Sequence, residues 1–381
     1  MQEFDLVVVG AGIVGASVAW HAAQRGVRVA VVDGIGPAAG ASGASDGAVS
    51  VASKREGILA DVAYESLEYS KELAKKNGPL AGIFHARPSF FVATDEAEEG
   101  ALDALAIKLR KLGNQVKVVA DLPNQKAVAL GFGSGVRRLL KLDGEGHMLG
   151  YGATQAYLRA SGAAFFWRDA VIDIAEEVSS VTVQCQSGKL RARAVVCAAG
   201  LQSLNLFESL PIFPRAGQLI ITDQRQPNER TLEGSITAGS YLISKQLVKN
   251  ETSSPPVVID PLETGQYLIG STREPHGRSD FTDVSVIRNL IKQAVDIYPV
   301  LKNRRVIRTF TGVRAAVADG LPIVGLMPQH RRTWIASGFE GDGICLSAWA
   351  GRAVCDAIFD KPKSVLDVFS PNRFQEMSEV V

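Results

Sequence analysis

The feature that most constrains this chain is a glycine-rich turn near its start. Residues 4–9 are apolar apart from Asp5 and predict a buried strand, and residues 16–23 predict a helix directly after the turn. Gly10, Gly12 and Gly15 lie between them with Gly-x-Gly-x-x-Gly spacing. This spacing permits a tight turn at Gly10, close approach of a pyrophosphate at Gly12 and close packing of helix on strand at Gly15. The unpaired N–H groups and the positive dipole at the helix start then favour phosphate.

A second strand and an acidic residue complete the unit. Residues 27–32 are again apolar, and Asp33 stands at the carboxyl end of this predicted strand, where it can accept hydrogen bonds from an adenosine ribose. A glycine turn in some other βαβ unit would explain the glycines by themselves. Strand, helix, strand and acid together favour a bound adenine dinucleotide.

Composition excludes several classes of protein. Lys and Arg number 41 against 40 Asp and Glu, so the net charge of +1 favours neither nucleic acid nor an anionic membrane as partner. No apolar run approaches the roughly 20 residues that span a bilayer. The predicted fold begins at residue 4 and leaves no room for a targeting peptide, so we expect a cytoplasmic protein. The four cysteines lack Cys-x-x-Cys spacing and the five histidines are scattered, so no metal site is expected.

The rest of the chain predicts an α/β fold with two parts. Helices are predicted at 59–76, 96–112, 150–161, 284–296 and 346–359, and strands at 89–94, 163–167, 171–175, 181–185, 193–198, 218–222, 257–260, 267–272 and 333–337. Residues 261–265 predict a hairpin turn. The short alternating strands within 214–310 indicate an antiparallel sheet with a flanking helix, inserted between parts of the nucleotide-binding sheet. Residues 133–142 fit neither helix nor strand clearly.

Taken in order, these segments resemble the D-amino acid oxidase superfamily, particularly glycine oxidase, sarcosine oxidase and the flavin subunits of heteromeric opine and hydroxyproline dehydrogenases. The resemblance rests on residues 7–15 with Asp33, and on 42–49, 195–200, 266–272, 312–325 and 338–351. It implies non-covalent FAD in a Rossmann-like parallel-sheet domain formed by residues 1–80, 145–213 and 311–381. Residues 81–144 and 214–310 would form the inserted antiparallel α+β substrate domain.

The resemblance also implies the site residues. Residues 312–325 are similar to a family segment whose arginine grips the substrate carboxylate, which assigns that role to Arg314; a structural pair with Asp319 is the other interpretation. Tyr241 and Cys345 are further catalytic candidates, although packing would also explain both. The expected FAD-binding residues are Gly10, Gly12, Ile13, Val14, Gly15, Asp33, Ser42, Ser45, Gly47, Ala48, Val49, Val171, Ala199, Gly200, Gly312, Gly338, Gly341, Asp342, Gly343 and Ile344.

The implied reaction is oxidation of the C–N bond of a D-amino acid, hydroxyproline, opine or sarcosine-like substrate by hydride transfer to flavin N5. The helix predicted from Leu346 and the N–H groups of residues 341–344 would stabilise negative charge on the reduced ring. The electrons would pass to partner subunits that carry iron–sulfur centres or a second flavin, or directly to oxygen. A 2-hydroxy acid dehydrogenase, an NAD-dependent dehydrogenase and a non-catalytic dinucleotide-binding protein are the competing hypotheses.

Overall fold

The computed structural model describes residues 1–113, 116–227, 229–246, 257–360 and 364–374. The range 214–310 therefore includes residues 228 and 247–256, which lie outside the described residues. The helices are α1 Ile13–Ala23, α2 Ile58–Leu73, α3 Glu96–Leu112, α4 Asn124–Ala129, α5 Gly150–Ser161, α6 Gly239–Gln246, α7 Val284–Ile297 and α8 Gly343–Phe359. The strands are β1 Gln2–Val9, β2 Val29–Asp33, β3 Ala48–Val49, β4 His85–Ala86, β5 Ser89–Ala93, β6 Lys117–Pro123, β7 Arg138–Asp143, β8 Gly146–His147, β9 Ala164–Trp167, β10 Val171–Glu176, β11 Val181–Cys185, β12 Lys189–Cys197, β13 Ile212–Thr222, β14 Ser235–Ala238, β15 Val258–Pro261, β16 Tyr267–Gly270, β17 Val306–Val317, β18 Ile323–Leu326 and β19 Thr333–Ser337.

A largely parallel sheet carries the predicted nucleotide-binding unit. Its strands run in the order β10-β11-β12-β1-β2-β9, and β19 pairs with β12 and with β18. The strands β12, β1, β2 and β9 are parallel, as is the β12–β19 pair, whereas β10 and β11 form the predicted meander that returns antiparallel to β12. The carboxyl ends of β1, β12 and β19 therefore meet at one edge, where open α/β sheets bind ligands.

A second sheet runs in the order β17-β13-β16-β15-β14-β5-β7-β6. Its pairs are antiparallel, including the β15–β16 hairpin predicted from the sequence, except that β14 lies parallel to β5. The segment 133–142, which the sequence left undecided, ends in β7 between β5 and β6. The inserted sheet is thus antiparallel apart from the β14–β5 pair. In that pair β5 comes from an earlier part of the chain than β14.

The predicted helices form where local signals are strong. Asp95 caps α3, and its carboxylate accepts a hydrogen bond from the backbone N–H of Glu98 at 2.9 Å. Acidic residues occupy the first turn of α3, and Gly113 ends it in a left-handed conformation at φ 59°. Asp283 caps α7 in the same way. Helix α8 differs from its prediction, because it begins at Gly343 rather than at Leu346.

Helices α1 and α8, which flank the parallel sheet, pack closely and form the centre of the largest core. Gly351 of α8 faces α1, and a Cβ at this position would lie 2.3 Å from the Ser17 hydroxyl oxygen. Most residues of α1 are buried, and α8 is largely buried from Ile344 to Cys355, including Trp349. The close approach requires glycine and brings the starts of α1 and α8 to the same edge of the parallel sheet.

Candidate active site

The first glycine turn has the geometry that its spacing predicts. Gly10 adopts φ +106°, and a Cβ there would lie 2.5 Å from the carbonyl oxygen of Ala198 on the neighbouring strand. A Cβ on Gly15 would lie 2.1 Å from the carbonyl oxygen of Gly10. Both positions therefore exclude any side chain. Gly12 stands at the N-cap of α1 in an extended conformation.

Ser42 and Asp33 hold this turn from two sides. The Ser42 hydroxyl accepts a hydrogen bond from Ile13 N–H at 2.9 Å, and Asp33 Oδ2 accepts one from Ala11 N–H at 2.8 Å. Asp33 Oδ1 also accepts from the N–H groups of Ile35 and Gly36. The carboxylate that was expected to bind a ribose thus also organises the loop after β2, and its ribose contact stays a prediction.

The small-residue loop 42–49 lies against β8. Ser45 donates to the Ser42 carbonyl at 2.9 Å, and Ala48–Val49 forms β3, which pairs with β8. Gly47 adopts φ +85°, and a Cβ there would lie 2.7 Å from His147 Nε2. That ring nitrogen is 2.9 Å from the carbonyl oxygen of Asp46, and burial lowers the pKa of His147 to about 3. A neutral histidine, which the sequence did not single out, therefore supports this loop.

Other expected cofactor residues gather at the same edge. Ala199 and Gly200 follow β12, and the Gly200 carbonyl accepts a hydrogen bond from Ser337 at the end of β19 at 2.9 Å. Gly338 follows immediately with φ +73°. A Cβ on Gly312 would lie 2.7 Å from Ala44 Cβ, so β17 touches the loop 42–49. Val171 begins β10 and packs against the core cluster that contains Val9 and Val32. It directly follows Ala170, whose Cβ would lie 3.2 Å from a Cβ on Gly34, the residue after Asp33. Its adenine contact stays a prediction.

The second glycine turn leads into α8. Asp342 is its N-cap, and Gly341, Gly343 and Ile344 surround the start of the helix. The correction to the start of α8 places Cys345 in its first turn. There the thiol is buried and donates to the Ser50 carbonyl at 3.7 Å, and burial raises its pKa to about 11. The thiol is therefore protonated at neutral pH and part of the core, and a catalytic role for Cys345 stays a prediction.

Arg314 lies on β17 directly opposite Arg215 of β13. Its guanidinium donates to the carbonyls of Ala216 and Thr272 at 3.3 and 3.1 Å and to the Ser271 hydroxyl. Burial lowers the pKa of Arg314. Among the described residues no carboxylate pairs with this guanidinium; Asp319, its alternative partner from the sequence, pairs with Arg373 at 2.8 Å. The interpretation of Arg314 as the structural partner of Asp319 is therefore wrong.

The space beside Arg314 is bounded by glycine and by α6. A Cβ on Gly341 would lie 3.7 Å from Arg314 Nε, so no side chain covers this edge of the guanidinium. Tyr241 lies on α6, close enough to Arg314 and to Lys54 for its phenol to raise the pKa of both side chains. The structure thus brings Tyr241, Gly341 and Arg314 into one neighbourhood, and the catalytic roles of Tyr241 and Arg314 stay predictions.

Two buried ion clusters adjoin this neighbourhood. Glu340 accepts from Arg215 at 2.6 Å and Arg273 at 2.5 Å. Asp342 accepts from Lys54 at 3.0 Å and Lys245 at 2.8 Å. Burial opposes ionisation of both acids, but the neighbouring cations hold the pKa of each below its usual value. A cavity of about 50 Å³ lies between the clusters.

The sequence anticipated these clusters only in part. Asp342 was expected as a backbone contact of the cofactor, and Arg273 directly follows one of the segments that carry the resemblance. The partners Lys54, Arg215 and Lys245 lie far away in the sequence, and no local spacing identifies them. The signal that could have found them is the presence of two carboxylates, Glu340 and Asp342, inside a turn that must be buried.

The residues fit an adenine dinucleotide. Side-chain-free positions at Gly12 and Gly341 leave the starts of α1 and α8 open to a ligand, and both helices direct N–H groups at the shared sheet edge. The described residues contain no group of His, Cys, Asp or Glu side chains that could hold a metal ion. In the part of the chain that the structure describes, every helix is too short or too polar to cross a bilayer.

Comparison with known proteins agrees with this geometry. The family model described as "DAO: FAD dependent oxidoreductase" matches residues 5–357. Glycine oxidase of Geobacillus kaustophilus is 24% identical over 372 residues, which cover 94% of this chain and 93% of the relative. One of the subunits of opine oxidase from Rhizobium meliloti is 24% identical over 391 residues and 98% of each chain.

Solved structures show the same fold. The crystal structure of the Geobacillus glycine oxidase superposes with a TM-score of 0.85 at 24% identity, over 98% of this chain and 99% of that chain. L-proline dehydrogenase from P. horikoshii also gives a TM-score of 0.85, at 20% identity and over 99% of each chain. The match extends through both sheets and both glycine turns.

Proposed function

The chain belongs to the DAO family of FAD-dependent oxidoreductases, and from this premise we propose that it oxidises the C–N bond of an amino acid or an N-substituted amino acid. The observation that carries the proposal is Arg314. It is a part-buried guanidinium without a carboxylate partner among the described residues, and its open edge faces a glycine. A planar guanidinium binds a carboxylate through two parallel charge-assisted hydrogen bonds, which fix the orientation of the substrate.

Two segments would hold FAD in this proposal. Gly10–Gly15, with Ser42, would receive the pyrophosphate at the start of α1. The turn 338–344 would receive the flavin ring at the start of α8. FAD supplies, when bound, the acceptor for a hydride from the substrate α-carbon.

The chain's own residues would bind and orient the substrate. Arg314 holds the carboxylate, with its own position set by the carbonyls of Ala216 and Thr272 and by the Ser271 hydroxyl. Tyr241 closes the pocket from α6. A substrate bound as the neutral amine needs no protein base for C–H cleavage, because its nitrogen lone pair assists departure of the hydride. Positioning then supplies much of the rate.

The electron acceptor forms part of the proposal. The similarity to a relative that is itself one component of opine oxidase supports a catalytic flavin subunit within a larger complex. In the proposal its partner subunits carry an iron–sulfur centre or a second flavin. The similarity to glycine oxidase supports a self-sufficient oxidase. We favour the multisubunit dehydrogenase, in the cytoplasm, because the match to the opine oxidase subunit covers 98% of each chain, against 94% and 93% for glycine oxidase.

The decisive experiment is anaerobic reduction of the purified flavoprotein, followed by flavin absorbance. The panel contains D-amino acids, N-alkyl glycines, prolines, opines and 2-hydroxy acids, and air is admitted afterwards. We expect bleaching by an amine or amino acid and slow return of colour in air, since the natural acceptor is a partner. Fast return of colour would indicate an oxidase. Bleaching by hydroxy acids alone would overturn the proposal, as would no bleaching by any amine, alone or with partner subunits from the same source.

A further inference from the structure

Three buried charges meet at the start of α8. The carboxylate Oδ1 of Asp342 accepts hydrogen bonds from Lys54 Nζ at 3.0 Å and from Lys245 Nζ at 2.8 Å. The side chains of Lys54, Lys245 and Asp342 are 3%, 9% and 10% exposed. The three residues form one ion triad, screened from solvent and located at the N-cap of a long buried helix.

The triad reverses the sign of the charge that Asp342 alone would place there. A carboxylate at a helix N-terminus offsets the positive end of the helix dipole. Two ammonium groups around one carboxylate leave a net charge of +1, which adds to the dipole. Asp342 raises the pKa of Lys54 although burial opposes this, and the lysines lower the pKa of Asp342. The Lys54–Asp342 pair therefore remains ionised across the neutral range.

The triad also joins the two parts of the fold. Lys54 follows the loop 42–49, whereas Lys245 comes from α6, the helix that carries Tyr241. Helix α6 is itself fixed by a hydrogen bond from Ser240 N–H to Glu98 Oε1 at 2.8 Å. Lys245 reaches from this helix across to Asp342. The positive charge at α8 therefore depends on α6 being docked.

We propose that Lys54 and Lys245 are positioning residues that make the start of α8 net positive, and that Lys245 thereby couples the docking of α6 to the reduction potential of the flavin. The inference rests on the flavin placement in the proposed function. A flavin that takes up two electrons and one proton carries one more negative charge than before, and a nearby positive field favours this form. Undocking of α6 would remove one positive charge and make the flavin harder to reduce.

The test measures the flavin midpoint potential of the holoprotein against a reference dye that supplies the electrons, without any substrate. Lys245→Met removes one charge of the triad, and Asp342→Asn removes the opposite charge while keeping a good N-cap residue. The matched control is Lys111→Met, which removes an exposed lysine whose partner is Glu56. We expect K245M to make reduction about tenfold less favourable, which is about 30 mV lower for a two-electron couple. We expect D342N to shift the potential upward and K111M to leave it unchanged.

The opposite signs separate the electrostatic role from general damage. Shifts of K245M and D342N in the same direction, or a shift of K245M no larger than that of K111M, would overturn the inference. Where K245M does not retain flavin, D342N decides alone, since only a higher potential is consistent with the triad. The measurement uses no amine substrate, so its failure is distinct from failure of the proposed reaction, which the substrate panel tests.

Discussion

The two strand–turn–helix units of this protein place similar backbones at one sheet edge but differ in charge. The turn of the unit β1–α1 contains no charged residue of its own and is held by the Ser42 hydroxyl and by one carboxylate, that of Asp33. The unit β19–α8 carries Glu340 and Asp342 in its turn, and four basic side chains surround them. The first unit suits the phosphates of a dinucleotide, and the second suits a group whose charge changes during reaction.

The contrast teaches how far each unit depends on the rest of the chain. The turn of the first unit is held by Asp33 and Ser42, which follow it closely in the sequence, so its geometry is largely local. The second draws its cations from the segment after loop 42–49, from β13, from α6 and from the segment after β16. Its electrostatics therefore exist only in the assembled fold. The predictions below test this contrast.

The largest effect is expected from Gly15→Ala in the first unit. The new Cβ would lie 2.1 Å from the Gly10 carbonyl oxygen, so strand and helix must separate. We expect no retained flavin and an unfolding free energy lower by about 1–3 kcal/mol. Absorbance of the purified protein and chemical denaturation measure both. The control is Gly100→Ala within α3, where a Cβ meets nothing within 4 Å and should be neutral or stabilising. Full flavin content in G15A would show that the first unit is not the phosphate site.

The next effect is Arg314→Ala beside the charged unit. Loss of a buried charge-assisted pair typically costs about 2–5 kcal/mol, so kcat/KM should fall by about 30-fold to about 4,000-fold. Flavin content should remain unchanged, because Arg314 binds substrate rather than FAD in the proposal. Arg308→Ala, on the same strand and exposed, is the matched control. Equal loss of flavin in R314A would mean that Arg314 supports the cofactor instead.

A pH effect is expected where α1 meets α8. His21 is buried there, with Nδ1 2.7 Å from the Ser17 carbonyl oxygen, and burial lowers its pKa to about 3. Between pH 6.5 and 3 the unfolded chain binds a proton that the folded chain does not, so stability falls as the pH falls. His21→Gln should reduce this slope by about 1.4 kcal/mol per pH unit. Denaturation series from about pH 7 to about pH 4.5 measure it.

His147 provides the comparison for this result, because burial lowers its pKa to about 3 as well. His147→Gln should reduce the slope by a similar amount, and the double variant by the sum. An unchanged slope in H21Q would show that His21 is protonated in the folded protein.

The smallest effect is expected for Ser42→Ala. It removes the acceptor of the Ile13 N–H at the start of α1, which is worth about 0.5–1.5 kcal/mol. FAD affinity should fall modestly, and thermal unfolding of the holoprotein with a flavin titration measures both quantities. Ser179→Ala, at an exposed position in the turn between β10 and β11, is the control. A loss of flavin in S42A as large as in G15A would mean that FAD binding at the first unit depends mainly on the Ser42 hydroxyl rather than on the glycine backbone.

The elements predicted from local signals agree with the structure. Helices α3 and α5 and the β15–β16 hairpin have distinct start, stop or turn residues, and their predicted bounds match closely. The start of α8 was predicted three residues late, because the glycine-rich pattern predicts a turn through Gly343, whereas this residue is helical in the structure. The parallel β14–β5 pair could not be foreseen, since it joins strands that lie far apart in the chain. The proposed domain boundaries stay a prediction.

The sequence by itself determined the dinucleotide turn, the family and those elements with distinct boundary residues, such as α3 and α5, because these depend on short-range spacing and residue type. The role of Arg314 stays a prediction. Only the tertiary structure decided that Asp319 pairs with Arg373, that Cys345 is buried and that His147 supports the loop 42–49. It alone also brought Lys54 and Lys245 to Asp342. Charges interact through space rather than along the chain, so their partners, and the sign of the field that they create, appear only when distant segments pack together.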